Sequence, residues 1–388
     1  MSPSRRLVLF INVGHAFDHM FMLIFATAAL VMAAGLGLTY GELLQLSAGG
    51  FLAFGAGSIP AGWLGDRWSR RGMLGVFFFG LGTSAILTGL AQGPWMVAAG
   101  LTLIGAFASI YHPVGTAMLV AASDRMGRDI GVNGVWGNMG IAGAALLTGA
   151  LCQWFGWRWA FILPGSVAIL FGIAFVMLVR DDPAKKAAAK KPVEIPRPVM
   201  LRVFAVLAIV SITGGVVFNA MSVAVPKLLT ERVAGLGEYP AWAGLLAAGI
   251  FAAGAMSQLI VGHLVDRHPL KLVFVPLAAL QAPFLLLASG ASDGWLVFTA
   301  FAVVFAMFGQ VTINDTMLAK YTADSWRSRA FAVRYFVSFG VSAMAAPLVG
   351  TLHDGMGFAT TLFVLAGFGG MVFLGALLFP LRRQEVLA

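Results

Sequence analysis

The sequence predicts an all-helical polytopic membrane protein, with 12 transmembrane helices in two pseudosymmetric six-helix bundles. Three observations predict this class: the composition, the spacing of the apolar segments and an internal repeat. Of the 388 residues, 60% are hydrophobic and 11% are charged, and the mean hydropathy is +0.90. A soluble domain carries roughly 25% charged residues. The composition therefore excludes a water-soluble globular protein.

Apolar segments between charge clusters and glycine or proline breaks mark the helices in order. Twelve crossings of ~20 residues take about 240 residues, which leaves room for short loops and one linker. Runs such as 76–81 and 364–378 lack the alternation of β-barrel strands, so the crossings are helical. The predicted helices are 7–34, 42–63, 72–91, 94–122, 131–154, 158–179, 200–226, 240–263, 270–290, 295–321, 329–352 and 357–380.

Residues 180–199 separate the two bundles. This segment is rich in lysine and proline, so it is too polar to insert into a membrane and too proline-rich to form one helix. The sequence therefore predicts an N-terminal six-helix bundle at 1–179, a basic cytoplasmic linker at 180–199 and a C-terminal six-helix bundle at 200–388.

The basic residues predict the orientation in the membrane. With the N-terminus in the cytoplasm, all of the 25 lysines and arginines except Arg158, Lys227 and Arg232 fall on the cytoplasmic side. Since an excess of these residues marks cytoplasmic loops, both termini are predicted to lie inside. The net charge of +9 then needs no nucleic-acid partner. Asp18 interrupts the first apolar run, so this run is predicted to be a retained helix and not a signal peptide.

The two halves repeat at an offset of 200 residues. The matching residues are Gly62, Leu64, Asp66 and Arg67 in the first half and Gly262, Leu264, Asp266 and Arg267 in the second. A shared offset across a helix–loop–helix junction, in a chain with its linker at the middle, indicates duplication of a six-helix unit.

The repeated junction carries a recognisable motif. Residues 62–71 read Gly-Trp-Leu-Gly-Asp-Arg-Trp-Ser-Arg-Arg. This segment resembles the signature of the major facilitator superfamily, a Gly-x-Leu-x-Asp-Arg pattern followed by basic residues in the loop after the second span. The copy at 262–271 keeps the core and lacks the arginine pair. The resemblance implies a monomeric two-bundle carrier with a midplane cavity and alternating access.

The resemblance also implies a cytoplasmic gate. The gate residues that it implies are Asp66, Arg67, Arg70, Arg71, Asp266 and Arg267. A charged turn that only follows the excess of basic residues in cytoplasmic loops is the alternative interpretation. Arg334 lies about one turn into the eleventh span. It is predicted to form an ion pair with Asp315 near the cytoplasmic end of the tenth span.

Two further segments resemble a subfamily of these carriers. Residues 111–115 read Tyr-His-Pro-Val-Gly and residues 137–140 read Gly-Asn-Met-Gly. Both are similar to stretches of the fosmidomycin-resistance type of efflux protein. His15 and Asp18 are also similar to a His and an Asp in its first span, although the spacing differs by one residue. This likeness does not fix the substrate.

The first span carries a group of ionisable residues. Such residues at membrane depth cost ~2.5–3.5 kcal/mol each and tend to face the bundle interior. His15, Asp18 and His19 stand at i, i+3 and i+4, so they share one helix face near the middle of the bilayer. An aspartate beside histidines can exchange protons near neutral pH, and we predict proton coupling here. The alternatives are a structural hydrogen-bond cluster and a transition-metal site that adds His112.

Other polar residues lie in the fourth, seventh and tenth spans, which, like the first, begin three-helix units. The predicted substrate-binding residues are His112, Asn219, Asn314 and Asp315. Pro113 weakens the helix after His112, so a substrate-facing kink and a packing kink both fit. The third, sixth and twelfth spans have no ionisable residue in their interiors, and we expect them to face lipid.

The predicted function is secondary transport across a bacterial-type inner (plasma) membrane. No ATP-binding or hydrolase motif occurs, so neither an enzyme nor a cofactor is expected. The expected partners are the lipid bilayer and a small organic molecule, exported in exchange for protons. A divalent-metal carrier, a proton-coupled importer, a non-transporting membrane sensor and, more remotely, an intramembrane enzyme remain alternatives.

Overall fold

The chain folds into long helices, which we number as spans 1 to 12. The computed structural model describes residues 3–122, 126–180, 197–322 and 327–380. Residues 181–196, most of the predicted linker, lie outside this part. Spans 1 to 6 contain Pro3–Leu36, Tyr40–Leu46 with Ala48–Arg67, Arg70–Gly89, Pro94–Ala108 with Tyr111–Gly115 and Thr116–Ala122, Met126–Phe155, and Trp157–Leu178.

The second half repeats this arrangement. Spans 7 to 10 are Arg197–Arg232, Pro240–Arg267, Leu270–Ser289 and Asp293–Tyr321, and Arg327–Leu378 contains spans 11 and 12. Within the described residues, 11 segments are long and apolar enough to cross a membrane. The last of these is divided at Gly357, whose φ of 74° breaks the helix, so it supplies two crossings. The predicted all-helical fold class is confirmed.

Local sequence explains where several helices begin. Span 2 starts at a capping box, in which Thr39 Oγ1 accepts the Glu42 N–H and the Glu42 carboxylate accepts the Thr39 N–H. Span 3 starts after Ser69, whose Oγ accepts the Gly72 N–H at 2.9 Å. Spans 4 and 8 begin with Pro94 and Pro240, where no N–H is needed.

The helix bounds recur at the offset of the sequence repeat. Spans 2 and 8 end at Arg67 and Arg267, and spans 3 and 9 begin at Arg70 and Leu270. Corresponding loops therefore lie at the same ends of the two halves. We call the end that holds residues 68, 180, 197 and 268 the linker face, and the other end the far face.

The two halves meet closely at the far face. A Cβ added at Gly149 of span 5 would lie 3.2 Å from Gly244 Cα of span 8. A Cβ added at Gly350 of span 11 would lie 2.8 Å from Gly41 Cα of span 2. Small residues let helix backbones approach in this way. Hydrogen bonds from Ala241 N to Gln153 Oε1 (3.0 Å) and from Tyr40 to Val223 O (3.4 Å) also join the halves here.

Large apolar side chains on spans 3, 6 and 12 point away from the protein. Leu87, Leu170, Met177 and Leu374 are all exposed. In water such a surface would be unfavourable, whereas lipid chains match it. This exposure agrees with the expectation that spans 3, 6 and 12 face lipid.

Candidate functional site

Span 1 places an aspartate inside the protein. Asp18 is 0% exposed, and His15, one turn before it, is 9% exposed. His19, next to Asp18, is half-buried. The shared helix face that the sequence predicts for these residues therefore points into the bundle.

Span 4 brings a third histidine to this group. Its predicted kink is a π-helical segment, Tyr111–Gly115, that contains Pro113. Such segments are rare and often lie at functional sites, because they change the register of the side chains. His112 in this segment is buried, and its Nε2 lies 3.3 Å from Asp18 Oδ2.

The hydrogen bonds of His15 assign the protons on two rings. His15 Nδ1 lies 2.7 Å from the backbone carbonyl of Asn133 in span 5. A carbonyl oxygen can only accept, so Nδ1 carries the hydrogen and, in the neutral ring, Nε2 holds the lone pair. His19 Nε2 lies 3.1 Å from His15 Nε2. Because His15 Nε2 holds a lone pair, His19 Nε2 is the donor of the hydrogen bond between the two rings.

An amide and a tyrosine hold the His15 side of the site. The Asn133 side chain donates to Asn12 Oδ1 and to the Tyr111 hydroxyl, both at 2.9 Å. The Tyr111 hydroxyl donates to Ile11 O at 3.0 Å. The ring of Tyr111 stacks on that of His15, with centroids 4.9 Å apart. Spans 1, 4 and 5 are thus fixed to one another around His15.

The prediction missed Asn12 and Asn133. Their signal in the sequence is a carboxamide inside an apolar span, since an amide buried in a membrane needs hydrogen-bond partners. Tyr111 was noted as part of its motif, but its contact with span 1 depends on the three-dimensional packing.

Two glycines of span 5 make room for the histidines. A Cβ added at Gly137 would lie 2.7 Å from His15 Nε2 and 2.9 Å from His19 Cδ2. A Cβ added at Gly140 would lie 2.9 Å from Ala16 Cα and would overlap the Ala16 carbonyl oxygen. The Gly-Asn-Met-Gly segment therefore forms the wall of the site and the contact with span 1. The subfamily likeness of this segment stays a prediction.

The C-terminal half completes the site. The ring of Tyr335 in span 11 lies 5.2 Å from that of His112, centroid to centroid. The guanidinium of Arg334 forms an ion pair with Asp315 of span 10, as the sequence suggests, and lies 5.5 Å from the Tyr335 ring. His112 therefore contacts Asp18 in one half and Tyr335 in the other.

In the part of the chain that the structure describes, the other two predicted substrate-binding residues, Asn219 and Asn314, form no hydrogen bond with this group of side chains. Asn219 Nδ2 donates to Gly215 O of its own helix at 2.9 Å. Asn314 is buried, and among the described residues its Oδ1 has no hydrogen-bond partner. A buried acceptor without a donor can bind a ligand. Substrate binding by these residues stays a prediction.

The predicted gate residues lie at the linker face. Arg70 pairs with Asp66 at 2.7 Å, and Arg71 donates to Val176 O and Val179 O at 2.6 Å, all within the N-terminal half. The exposed members of the set are Asp66, Arg67, Asp266 and Arg267. Their role as a gate between the halves stays a prediction.

The three histidines are close enough to share a cation. One ring nitrogen from each of His15, His19 and His112 lies within 4.8 Å of the others. In a tetrahedral zinc site with bonds of ~2.0–2.1 Å, ligand nitrogens lie about 3.3 Å apart. The Nε2 atoms of His15 and His19, 3.1 Å apart, are close to this spacing, and the metal alternative remains open.

Comparison with known proteins agrees with the fold. The family model of the Major Facilitator Superfamily matches residues 10–314. A bacterial homologue of the human lysosomal transporter Spinster, solved in an inward-facing, unoccupied conformation, superposes with a TM-score of 0.80. That match covers 98% of this chain and 96% of the other at 12% identity, so it shows a shared fold.

Three relatives have named functions. The chain is 24% identical to a Na(+), Li(+), K(+)/H(+) antiporter of Planococcus maritimus over 356 residues, 82% of this chain and 84% of that protein. It is 30% identical to a puromycin resistance protein of Streptomyces alboniger over 133 residues (34% and 26%). It is 28% identical to a lincomycin resistance protein of Streptomyces lincolnensis over 251 residues (63% and 45%). These two alignments span less than half of each resistance protein.

Proposed function

The chain belongs to the Major Facilitator Superfamily and is a multi-pass membrane transporter, not an enzyme, and from this premise we propose that it exports a small organic molecule in exchange for protons. Alternating access between the two halves would move both the organic molecule and the protons across the membrane. The observation that supports this proposal most directly is the buried carboxylate of Asp18 against His112.

The environment of Asp18 favours a bound proton. A charged carboxylate in an apolar interior costs several kcal/mol unless a cation or hydrogen bonds compensate it. Asp18 has two ways to remove this cost: it can bind a proton, or it can pair with a cation. His112 at 3.3 Å is a neighbour that can exchange a proton with it. A cationic group of the substrate would be the second partner.

The position of His112 supports coupling between the proton and the conformation. Its Nε2 lies 3.3 Å from Asp18 Oδ2, and its ring packs against that of Tyr335 of the other half. A change of charge at Asp18 therefore alters a contact between the halves. We propose that the site is reached from the linker face, because the far face is closed by contacts such as that of Gly149 with Gly244.

The named relatives support export and antiport. Two are resistance proteins for puromycin and lincomycin, and one is a cation/H(+) antiporter. We therefore propose puromycin and lincomycin as first transport probes. We also propose that the linker face is cytoplasmic, in a bacterial plasma membrane, and that the protein works as a monomer.

Transport in proteoliposomes tests the proposal. Asp18→Asn keeps the size of the side chain and removes the titrating group, so we expect probe transport driven by a pH gradient to fall at least ~10-fold. Asp293→Asn is the matched control, because Asp293 is exposed at the far face and loses the same charge. Both variants should elute as the wild type does in size-exclusion chromatography. Full gradient-driven transport by folded Asp18→Asn would refute the proposal, and probe flux in the opposite direction would indicate an importer.

A divalent-metal carrier is the second candidate, because the three histidine nitrogens converge. It predicts that Zn²⁺, Co²⁺ or Ni²⁺ raises the Tm of the wild type and not that of His15→Ala. Transport of these ions, with no transport of organic probes, would favour the metal carrier. A Tm that does not respond to metal would exclude it.

A further inference from the structure

A polar network joins the two halves at the far face, outside the site described above. Asp354, near the end of span 11, accepts two hydrogen bonds on Oδ2 from the start of span 2. The donors are the Thr39 hydroxyl at 2.5 Å and the Gly41 N–H at 3.0 Å. We call Thr39, Gly41, Glu231, His353 and Asp354 the far-face latch.

The latch depends on close approach of the backbones. A Cβ added at Gly41 would lie 2.7 Å from the Asp354 carboxyl carbon, so no larger residue fits in this geometry. The same glycine lies against Gly350 of span 11. The carboxylate is therefore held directly on the backbone of the other half.

His353 connects this carboxylate to a second one. Its Nδ1 lies 3.0 Å from Asp354 Oδ1, and its Nε2 lies 2.8 Å from Glu231 Oε1 of span 7. An ionised carboxylate has no hydrogen to donate, so both ring nitrogens must carry one. The arrangement therefore contains an imidazolium between two carboxylates. A neutral ring has one N–H and would leave one carboxylate facing a lone pair.

The surroundings of His353 are mixed in charge. From span 7, Lys227 Nζ lies 3.2 Å from the same Glu231 oxygen. From span 2, the Tyr40 ring lies 5.3 Å from the imidazole, and Lys227 lies 5.7 Å from the centre of that ring. From the start of span 12, the Phe358 ring lies at 4.6 Å. The near charges are thus two carboxylates and one ammonium.

Two further acids lie at the edge of the network. Glu42 accepts the Thr39 N–H at 2.8 Å and so supports the donor of the latch. Glu238 lines a cavity of about 310 Å³ together with Lys227 and Glu231. The imidazole itself is 14% exposed, so a proton can reach it from the far face.

We propose that His353 is a second proton-binding site and that its proton keeps the far face closed. Loss of the proton removes one of the two N–H bonds and turns a lone pair toward a carboxylate. In the tautomer that keeps its hydrogen on Nε2, Asp354 loses the group that orients it toward Thr39 and Gly41. The proposal requires that the closed state binds this proton more tightly than the open state, so that acid at the far face favours closure by linkage. The closure is therefore lost when the ring loses this proton.

This inference does not rest on the role of Asp18. If the far face is the outside, a proton from the external medium would close the outer gate once the substrate has left. The proposed exporter would then have one proton site at mid-membrane and another at the gate. The second site can be tested without substrate or a pH gradient, so its failure is distinguishable from failure of the proposed function.

A distance measurement across the far face tests the latch. Spin labels replace Gln92 in the loop between spans 3 and 4 and Ser292 in the loop between spans 9 and 10, with Cys152→Ala as background. Double electron–electron resonance compares pH 5.5 with pH 8. We expect the ratio of short to long distances to fall at least ~10-fold at pH 8, since a hydrogen bond to a charged group is lost.

Three variants test whether His353 causes the response of the distance to pH. His353→Gln should abolish the pH response, whereas His268→Gln, an exposed histidine at the linker face, should keep it. Thr39→Val removes one bond of the latch together with the side-chain cap of span 2, so it should lower the closed fraction at pH 5.5 and retain the pH response. A wild type that does not respond to pH, or a response that persists in folded His353→Gln, would overturn the proposal. If His353→Gln does not fold, an unchanged closed fraction in Thr39→Val would also overturn it.

Discussion

The contact between Gly137 and the histidines offers a sharp test of the candidate site. In Gly137→Ala the new Cβ starts 2.7 Å from His15 Nε2, whereas ordinary contacts begin at 3.4 Å. The ring must therefore retreat by about 0.7 Å, or span 5 must move by a similar amount. Overpacking of this kind costs ~1–3 kcal/mol, and the helix gains roughly 0.5–1 kcal/mol when alanine replaces glycine. We expect a small net loss of stability.

The expected loss of transport is larger than the loss of stability. A displacement near 1 Å at a reacting group can reduce a rate ~100-fold, so a shift of this size should lower proton-driven transport at least ~10-fold. The assay is flux of puromycin or lincomycin into proteoliposomes, with Tm measured on the same preparations.

Two glycines of the same helix serve as controls. Gly143 has nothing within 4 Å of an added Cβ, so Gly143→Ala should keep full transport and gain about 0.5–1 kcal/mol. Gly140 faces the backbone of Ala16, which cannot move aside, so Gly140→Ala should reduce stability and transport together. Normal transport by Gly137→Ala, with a Tm like that of Gly143→Ala, would refute the assigned positions of His15 and His19.

Three further predictions concern stability and use thermal unfolding. Tyr111→Phe keeps the ring but loses the hydrogen bonds of the hydroxyl, so it should cost ~1–3 kcal/mol, and an unchanged Tm would contradict the network around His15. Asp315→Asn leaves the buried guanidinium of Arg334 without its carboxylate and should destabilise by ~3–5 kcal/mol or somewhat less, because Asp315 is partly exposed. Arg334→Gln in the same chain should recover most of this loss, and strict additivity would contradict the ion pair. Gly357→Ala should cost ~1–3 kcal/mol, because its φ of 74° and ψ of 176° lie in a region that essentially only glycine adopts, and Gly357→Asn should cost a similar amount.

The fold could be predicted from the sequence because the features that determine it are either local in the sequence or repeated in both halves. Apolar run length determines which segments can cross a membrane, and the offset of 200 residues relates the halves. The same offset separates the ends of spans 2 and 8, Arg67 and Arg267, in the structure. The sequence also predicts separate eleventh and twelfth spans, 329–352 and 357–380, and the structure breaks the helix between them at Gly357.

The candidate site was accessible in part. The spacing of His15, Asp18 and His19 follows from helix geometry, so their shared face could be predicted. The approach of His112 entered the prediction only through the metal-site alternative, because the π-helical segment changes the register of span 4 by an amount that the proline alone does not specify.

The far-face latch was not predicted at all. Thr39 and Asp354 are 315 residues apart, and each is an ordinary polar residue at a helix end. Spacing within one helix gives no information about such a pair. Its physical signal is the pair of glycines, Gly41 and Gly350, that let two backbones touch, and sequence alone does not show which glycines face one another.

The contact between Gly149 and Gly244 has a mechanical consequence. Span 5 extends about 23 residues from Gly149 back to Met126, a lever arm of ~35 Å. If the touching backbones serve as a pivot, a rigid rotation of about 15° sweeps the distant tip through ~9 Å. A pivot formed by two glycines at one membrane surface would thus let a modest rotation open a passage of solute dimensions at the other.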